Sequence, residues 1–275
     1  MSRYLAKTLA VLMVAASVNV STASASAAPP MALIPDVTAA SGELDAMLLN
    51  PAAATGLKES SLIIKVTEEP LESGGSKREY MLAVVDPGGT LAGGLTGSLK
   101  LAPGEALEWR ATYTIAGKLG PAALGVRGTW TGIDAPGPGV VSRWAADVGV
   151  SGRLGPSLWF GMAASNLWIG GPSPGAPRIA GRVSLTLAPP SKPVYLLSVG
   201  LSDEDLQEAN GRVFDAGLLV PLGRYIRLVG RYEQGLEDGM AVRWAAGMSV
   251  DVTMFRLDAG YRSDGAYLVG IRSTI

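Results

Sequence analysis

The chain has no cysteine and no histidine, and both absences exclude whole classes of chemistry. Without thiols there are no disulfide bonds, thiolate nucleophiles or cysteine zinc ligands. Without imidazole there is no Ser-His-Asp arrangement and no histidine metal site. Asp, Glu or Lys tuned by burial are the remaining general bases, and no nucleophile stands at a suitable spacing from one of them. We therefore expect no enzyme, no cofactor and no metal site.

Charged residues are scarce as well. They make up only 17% of the sequence, while 48% is hydrophobic and 36 of the 275 residues are Gly. An ordinary soluble domain has about 25% charged residues. The net charge is −1, from 23 Lys and Arg against 24 Asp and Glu, so no basic field would attract nucleic acid. No segment after the N-terminus has 18 consecutive apolar residues, which excludes helical membrane spans from the mature chain.

The N-terminus has the pattern of a secretory signal peptide. Arg3 and Lys7 form a charged start, Leu9–Val18 is apolar, and Ala23–Ala27 offers small residues for cleavage. An uncleaved anchor helix is the alternative, but the apolar stretch is shorter than the roughly 20 residues that a span needs. We predict that residues 1–27 are a cleaved signal peptide and that the protein is exported to the cell outer membrane.

From about Ser60 onward the chain is a series of segments in which apolar and polar residues alternate. In Leu107–Ile115, for example, every odd position is apolar and every even position is polar. Such alternation is the period of a β-strand whose two faces have different environments. The segments number about 14: Leu62–Val66, Tyr80–Val85, Leu91–Lys100, Leu107–Ile115, Leu124–Thr131, Arg143–Arg153, Leu158–Leu167, Arg178–Leu187, Tyr195–Leu201, Val213–Val220, Ile226–Glu233, Val242–Asp251, Phe255–Arg262 and Tyr267–Ile271.

Wide and tight gaps alternate between these segments. The wide gaps are Glu68–Lys77, Gly132–Val140, Trp168–Pro177, Ser202–Gly211 and Gln234–Gly239. The tight gaps are Pro87–Gly89, Gly117–Gly120, Gly152–Gly155, Pro221–Arg224 and Asp251–Thr253. Long outer loops and tight periplasmic turns are typical of up-and-down membrane barrels. The short gaps Ala102–Glu105 and Ser263–Gly265 fit this rhythm less well.

A soluble antiparallel sandwich would alternate too, but its wet face would be rich in Lys and Glu. Here the wet face has Gly, Ser, Thr and Ala interleaved with Arg and Asp, as expected for a crowded interior. We predict an all-β fold, an up-and-down antiparallel transmembrane β-barrel of about 14 strands over residues 59–275, with the lipid bilayer around it.

The polar face of these strands predicts a lumen with mixed charge and an excess of Arg. The residues placed there are Arg127, Arg143, Asp147, Arg178, Arg182, Asp215, Arg227, Arg231, Glu233, Arg243, Asp251, Arg256, Asp258, Arg262 and Arg272. One interpretation is a set of ion pairs that hold the wall and satisfy one another. The other is attraction of anionic groups to the pore. Interleaved acids favour the first.

Residues 28–58 neither alternate nor have enough charge for a free tail, so they must pack against something. Ser41 can cap a short helix through Glu43, Asp45 and Leu49, and Asn50–Ala53 then forces a turn. A barrel of about 14 strands is too wide to be filled by its own wall side chains. We therefore predict that residues 28–58 form a hatch inside the barrel.

A signal peptide, a short helix that ends in Leu48-Leu49-Asn50-Pro51-Ala52-Ala53, and about 14 strands resemble the FadL superfamily of outer-membrane channels, including its PorV-type branch. The local match covers residues 42–57. The resemblance implies that Asn50, Pro51, Ala52 and Ala53 form the hatch or gate, because an Asn-Pro-Ala motif lies in the hatch of those families. The chain departs from the pattern in its short length and in its terminal Ile275.

By this resemblance we expect a passive channel or binding barrel for small hydrophobic or amphipathic molecules. The inward Arg residues would orient the polar heads of such ligands. The alternative is a non-transport outer-membrane scaffold or shuttle for secreted proteins, similar to PorV-type proteins. Its partners would be secreted proteins or secretion machinery, and the Pro- and Gly-rich gaps Gly132–Val140 and Trp168–Pro177 would then be the important surfaces.

Overall fold

The computed structural model describes residues 38, 40, 42–71, 74–135, 139–171, 179–189, 196–203, 212–236 and 242–275. Each strand pairs antiparallel with its neighbour in the chain, and β14 pairs with β1 to close a barrel. The strands are β1 (Ser61–Pro70), β2 (Ser76–Asp86), β3 (Leu91–Leu101), β4 (Leu107–Leu119), β5 (Ala122–Ala135), β6 (Gly139–Arg153), β7 (Leu158–Gly170), β8 (Ala180–Leu187), β9 (Leu196–Asp203), β10 (Val213–Leu222), β11 (Ile226–Gly235), β12 (Val242–Val252), β13 (Phe255–Arg262) and β14 (Tyr267–Thr274). The predicted fold class and strand number are confirmed.

The prediction of wide loops was partly wrong. β5 ends at Ala135 and β6 begins at Gly139, so most of the predicted gap Gly132–Val140 is strand. Strands β5 and β6 extend beyond the alternating segments because aromatic side chains contact one another across the hairpin. The rings of Trp130 and Trp144 stack with centroids 5.7 Å apart.

The two ends of the barrel differ in their connections. We call the end where β1 begins and β14 ends the terminal rim, and the opposite end the loop rim. Residues 120–121 and 253–254 make tight turns at the terminal rim. Ile275 N donates a hydrogen bond to Ser60 O there (3.1 Å), which ties the two ends of the wall together.

The strands have an apolar outward face and a polar inward face. In β13, Phe255 and Leu257 are 42% and 49% exposed, while the residues that follow each of them, Arg256 and Asp258, are half-buried. The same alternation brings Ser184 and Thr186 of β8 to the inside, where both are buried, and leaves Val183 and Leu185 exposed outside. The wall thus has the inside-polar pattern of a membrane barrel.

A segment before the first strand lies inside the barrel. It consists of residues 42–57, here called the inner segment, with helix α1 (Leu44–Leu49) and a 3-10 helix (Pro51–Gly56). The 3-10 helix packs against β3 to β6. Leu44, Met47 and Leu57 form an apolar cluster with inward side chains of β1 to β4, among them Ile63 and Met81. Burying an aliphatic side chain of this size stabilises by about 1.5–3 kcal/mol.

The local prediction for this segment needs two corrections. Helix α1 has Glu43 at its N-cap and no side-chain cap, because the Glu43 carboxylate is bound to arginines of the wall instead. The predicted turn at Asn50–Ala53 opens a 3-10 helix, and Asn50 accepts a hydrogen bond from Ala52 N (3.0 Å).

Some predictions fall outside the described residues. They concern the signal peptide, residues Ser41, Arg178 and Tyr195, and the first part of the predicted hatch. Within the described ranges, neither helix has the length and apolar character that a membrane span requires.

Candidate functional site

The inner segment is anchored to the wall by the side chain of Asn50. This residue is fully buried, and its Nδ2 donates a hydrogen bond to Val150 O of β6 (2.9 Å). The facing strands have glycine where the segment approaches. A Cβ at Gly149 would stand 1.8 Å from Asn50 Oδ1, and one at Gly125 would stand 2.3 Å from Ala52 N. The predicted hatch residues Asn50, Pro51, Ala52 and Ala53 are all buried here.

Three arginines of the wall converge on Glu43. Arg227 Nη1 donates to its carboxylate at 2.8 Å, Arg256 Nη1 at 2.9 Å and Arg272 Nη1 at 3.2 Å. Asp251 accepts from Arg227 Nη2 (3.1 Å) and from Arg256 Nε (2.7 Å). These five residues, here called the terminal-rim cluster, join β11 to β14 to the start of the inner segment. Hydrogen bonds between ionised groups are among the strong ones.

A second group of contacts, centred on Arg127, links helix α1 to a bulge in the wall. Arg127 of β5 donates to Leu48 O and to Asp147 Oδ2 of β6, the latter at 2.6 Å from Nε. Asp147 Oδ1 in turn accepts from Asn166 N (2.8 Å). Asn166 lies at φ 60° where the β6–β7 register shifts. Asp147 therefore serves both the inner segment, through Arg127, and the irregular backbone of β7.

The loop-rim half of the lumen holds further predicted residues. Arg182 Nη1 is 3.8 Å from Asp215 Oδ2, and Asp215 is fully buried. Glu233 forms ion pairs with Arg231 and with Arg243 Nε, the latter at 3.5 Å. Arg143 is also on the inward face and half-buried. Ion pairs therefore hold several of the predicted inward arginines.

The connection between β13 and β14 is tied to the wall at the loop rim. Arg262 Nη2 donates to Glu69 of β1 (3.0 Å), and Arg262 Nε donates to both oxygens of Asp264 (2.8 and 2.7 Å). Burial favours the neutral form of Asp264, but the hydrogen bonds from Arg262 outweigh it and lower the pKa of this carboxyl.

The described part of the lumen contains cavities, one of them beside the inner segment. This cavity, of about 490 Å³ including open solvent, has both charged and apolar walls: Glu43, Leu44, Asp45, Ile63, Lys65, Leu219, Arg227, Ser249, Asp258 and Arg272. Another, of about 420 Å³ including open solvent, lies toward the loop rim. It is lined by Thr67, Glu69, Lys77, Glu79, Ser98, Lys100, Glu108 and Arg110. Among the described residues no cluster of acidic side chains could hold a metal ion.

The sequence predicts the inward acids of the wall, but not the pairing of the two acids of the inner segment with wall cations, nor Lys65. Glu43 and Asp45 were assigned to helix α1 without partners, whereas they bind Arg256 and Lys65 respectively. The position of Lys65 could have been predicted, because it lies two residues after Ile63 and therefore on the same, inward face of β1. Nothing in the sequence pairs Glu43 with strands that lie about two hundred residues later.

A closed antiparallel barrel of fourteen strands with an apolar outside is the fold of outer-membrane β-barrels. No protein-family model matches the chain, and no curated protein matches it in sequence. Several solved structures are similar in fold. The toluene transporter TbuX of Ralstonia pickettii is 12% identical with a TM-score of 0.53, over 85% of this chain and 94% of that one.

Two further barrels are similar in fold. The outer membrane protein Omp33 of Acinetobacter baumannii is 8% identical with a TM-score of 0.50, over 79% of this chain and 99% of that one. A triple mutant of Rhodopseudomonas blastica porin has the same identity and coverage and a TM-score of 0.43. The likeness to TbuX and Omp33 supports the outer-membrane barrel class and gives no support to the PorV-type branch.

Proposed function

We propose that this chain is an outer-membrane channel that lets small hydrophobic or amphipathic molecules pass without energy input. In this proposal the signal peptide directs export and is removed, the terminal rim faces the periplasm, and residues 28–58 are the hatch. The observation that carries it is the position of the inner segment, which lies inside a closed barrel and is anchored there by Asn50 and Glu43. The barrel is not an enzyme in this proposal.

The substrate class is inferred from the lumen and from the fold neighbour. The cavity beside the inner segment combines apolar side chains such as Leu44 and Leu219 with charged ones such as Arg227, which suits a molecule with both parts. TbuX, which has a similar fold, is a toluene transporter. The scaffold alternative makes no use of this cavity and is therefore the weaker one.

Deletion of Pro29–Leu49 tests the hatch. The variant should conduct ions several times better than the full chain in planar bilayers, because helix α1 and the residues before it no longer occupy the lumen. A folded barrel is verified by different migration of boiled and unboiled protein on a gel. Conductance equal to that of the full chain would contradict the proposal that this segment is a hatch.

Entry of a hydrophobic dye tests the channel. Cells whose outer membrane excludes N-phenylnaphthylamine should take up the dye faster when they express the full chain than when they carry the empty vector. Expression of the folded barrel without any increase in dye entry would favour the scaffold alternative.

A further inference from the structure

The charges at the terminal rim balance only while the inner segment is in place. Beside the terminal-rim cluster, Lys65 binds Asp45 of helix α1, and Asp258 lines the same cavity and interacts electrostatically with Lys65 and Arg256. This region thus has four cations, Lys65, Arg227, Arg256 and Arg272, and four carboxylates, Glu43, Asp45, Asp251 and Asp258.

Two of these carboxylates belong to the inner segment and two belong to the wall. Glu43 and Asp45 would leave together with the segment, whereas Asp251 and Asp258 would stay in β12 and β13. The four cations would then face two carboxylates only. Cations that are confined without counter-charges have a high free energy. Binding of a small anion in place of the two lost carboxylates would therefore be strongly favoured.

We propose that Arg227, Arg256 and Arg272 form a binding site for small oxyanions, and that Glu43 occupies this site as an internal ligand. The Glu43 carboxylate supplies both oxygens to these guanidiniums, with Arg256 Nη1 2.9 Å from each of them. A phosphate or a free carboxylate likewise presents a pair of anionic oxygens that guanidinium groups bind. Oxyanions and the inner segment therefore compete, and an oxyanion holds the channel in its open form. This inference rests on the proposed hatch role of the segment.

Glu43→Gln tests the competition, because it removes the charge of the internal ligand and nearly preserves its shape. Titration of the purified full chain with inorganic phosphate should show at least about tenfold tighter binding to this variant than to the wild type, since the arginines are no longer occupied. In a KCl gradient the reversal potential of the variant should also shift toward that of chloride. Glu59→Gln is the matched control. Glu59 is exposed at the same rim and accepts a hydrogen bond from Thr274 Oγ1.

The double variant Glu43→Gln with Arg256→Gln should lose most of the gained phosphate affinity. Equal phosphate affinity of the wild type and Glu43→Gln would overturn the proposal, as would a tight affinity that the double variant keeps. The hatch role would survive either result if deletion of Pro29–Leu49 still raises conductance, so the two failures can be told apart.

If the Glu43→Gln barrel does not fold, the wild type and Arg256→Gln answer the same question. Added phosphate should increase the frequency of open events of the wild type severalfold and leave that of Arg256→Gln nearly unchanged. The same response in both proteins would overturn the proposal.

Discussion

Around the inner segment, arginine makes contacts that lysine could not. Arg256 binds Glu43 with one nitrogen and Asp251 with another, and Arg127 binds a carbonyl and a carboxylate at once. The planar guanidinium has five donors in a fixed fork, whereas an ammonium is a point charge on a flexible stem. One arginine can therefore tie a strand to its neighbour and to the inner segment together, which explains why this residue type predominates inside the barrel.

Gly149→Ala should loosen the inner segment. The added Cβ would stand 1.8 Å from Asn50 Oδ1, and both the strand and the segment are held by hydrogen bonds, so one of them must shift. Overpacking of this kind costs about 1–3 kcal/mol. Urea unfolding in lipid vesicles should show a lower midpoint than for the wild type.

Gly128→Ala is the matched control for this change. Gly128 lies on the neighbouring strand β5, and a Cβ there would meet no atom within 4 Å. If both variants unfold at the same urea concentration, the close approach of Asn50 to β6 is not present in solution.

At the level of elements, the strands were predictable from sequence and the ends of the hairpins were not. Each of the fourteen strands contains one predicted segment, in the predicted order, apart from the first residues of Arg178–Leu187 and Tyr195–Leu201. The agreement arises because alternation is a local property that both faces impose on every strand. The extension of β5 and β6 through Ala135 and Gly139 depends on contacts between strands, such as Trp130 with Trp144, which a single segment does not reveal.

The site was predictable in composition and not in pairing. Parity along the strands placed Arg127, Asp147 and Arg256 on the inward face, where the structure has them. The two arginines also bind the inner segment: Arg127 binds a carbonyl of helix α1, and Arg256 binds the carboxylate at the N-terminus of that helix. These contacts depend on how the inner segment folds back into the lumen, and strand periodicity contains no information about that path.

Asp147 should be more important for stability than its single charge suggests. Asp147→Ala leaves Arg127 nearly buried without its carboxylate and removes the acceptor of Asn166 N at the bulge of β7. Breaking a buried ion pair by removing one partner costs about 3 kcal/mol. The free energy of unfolding in lipid vesicles should fall by that amount.

A second variant separates the ion pair from the bulge. Arg127→Met with Asp147→Ala removes the unpaired guanidinium and keeps the volume of its side chain, so it should recover about 1 kcal/mol relative to Asp147→Ala alone. A double variant that is less stable than Asp147→Ala would contradict the pairing of Arg127 with Asp147.

For the whole molecule, the closed wall separates two environments. Large apolar side chains such as Val199 and Leu218 point outward, while Asp215 and Ser198 on the same two strands are buried inside. A soluble protein with so many exposed apolar side chains would aggregate, whereas lipid makes this surface favourable. The polar interior, in turn, needs counter-charges, and in the terminal-rim half the inner segment provides two of them.

Lipid contact predicts a cost that depends on depth. Val199 lies near the middle of β9 and Leu222 is the last residue of β10, and both are exposed on the outer wall. In a bilayer, Val199→Arg should lower the free energy of unfolding by about 2–4 kcal/mol and Leu222→Arg by about 0–1 kcal/mol, since only the first places a guanidinium at the hydrocarbon midplane. Urea unfolding of both variants in vesicles measures the difference. In water both substitutions would be nearly neutral, so equal and small effects would show that this wall does not face lipid.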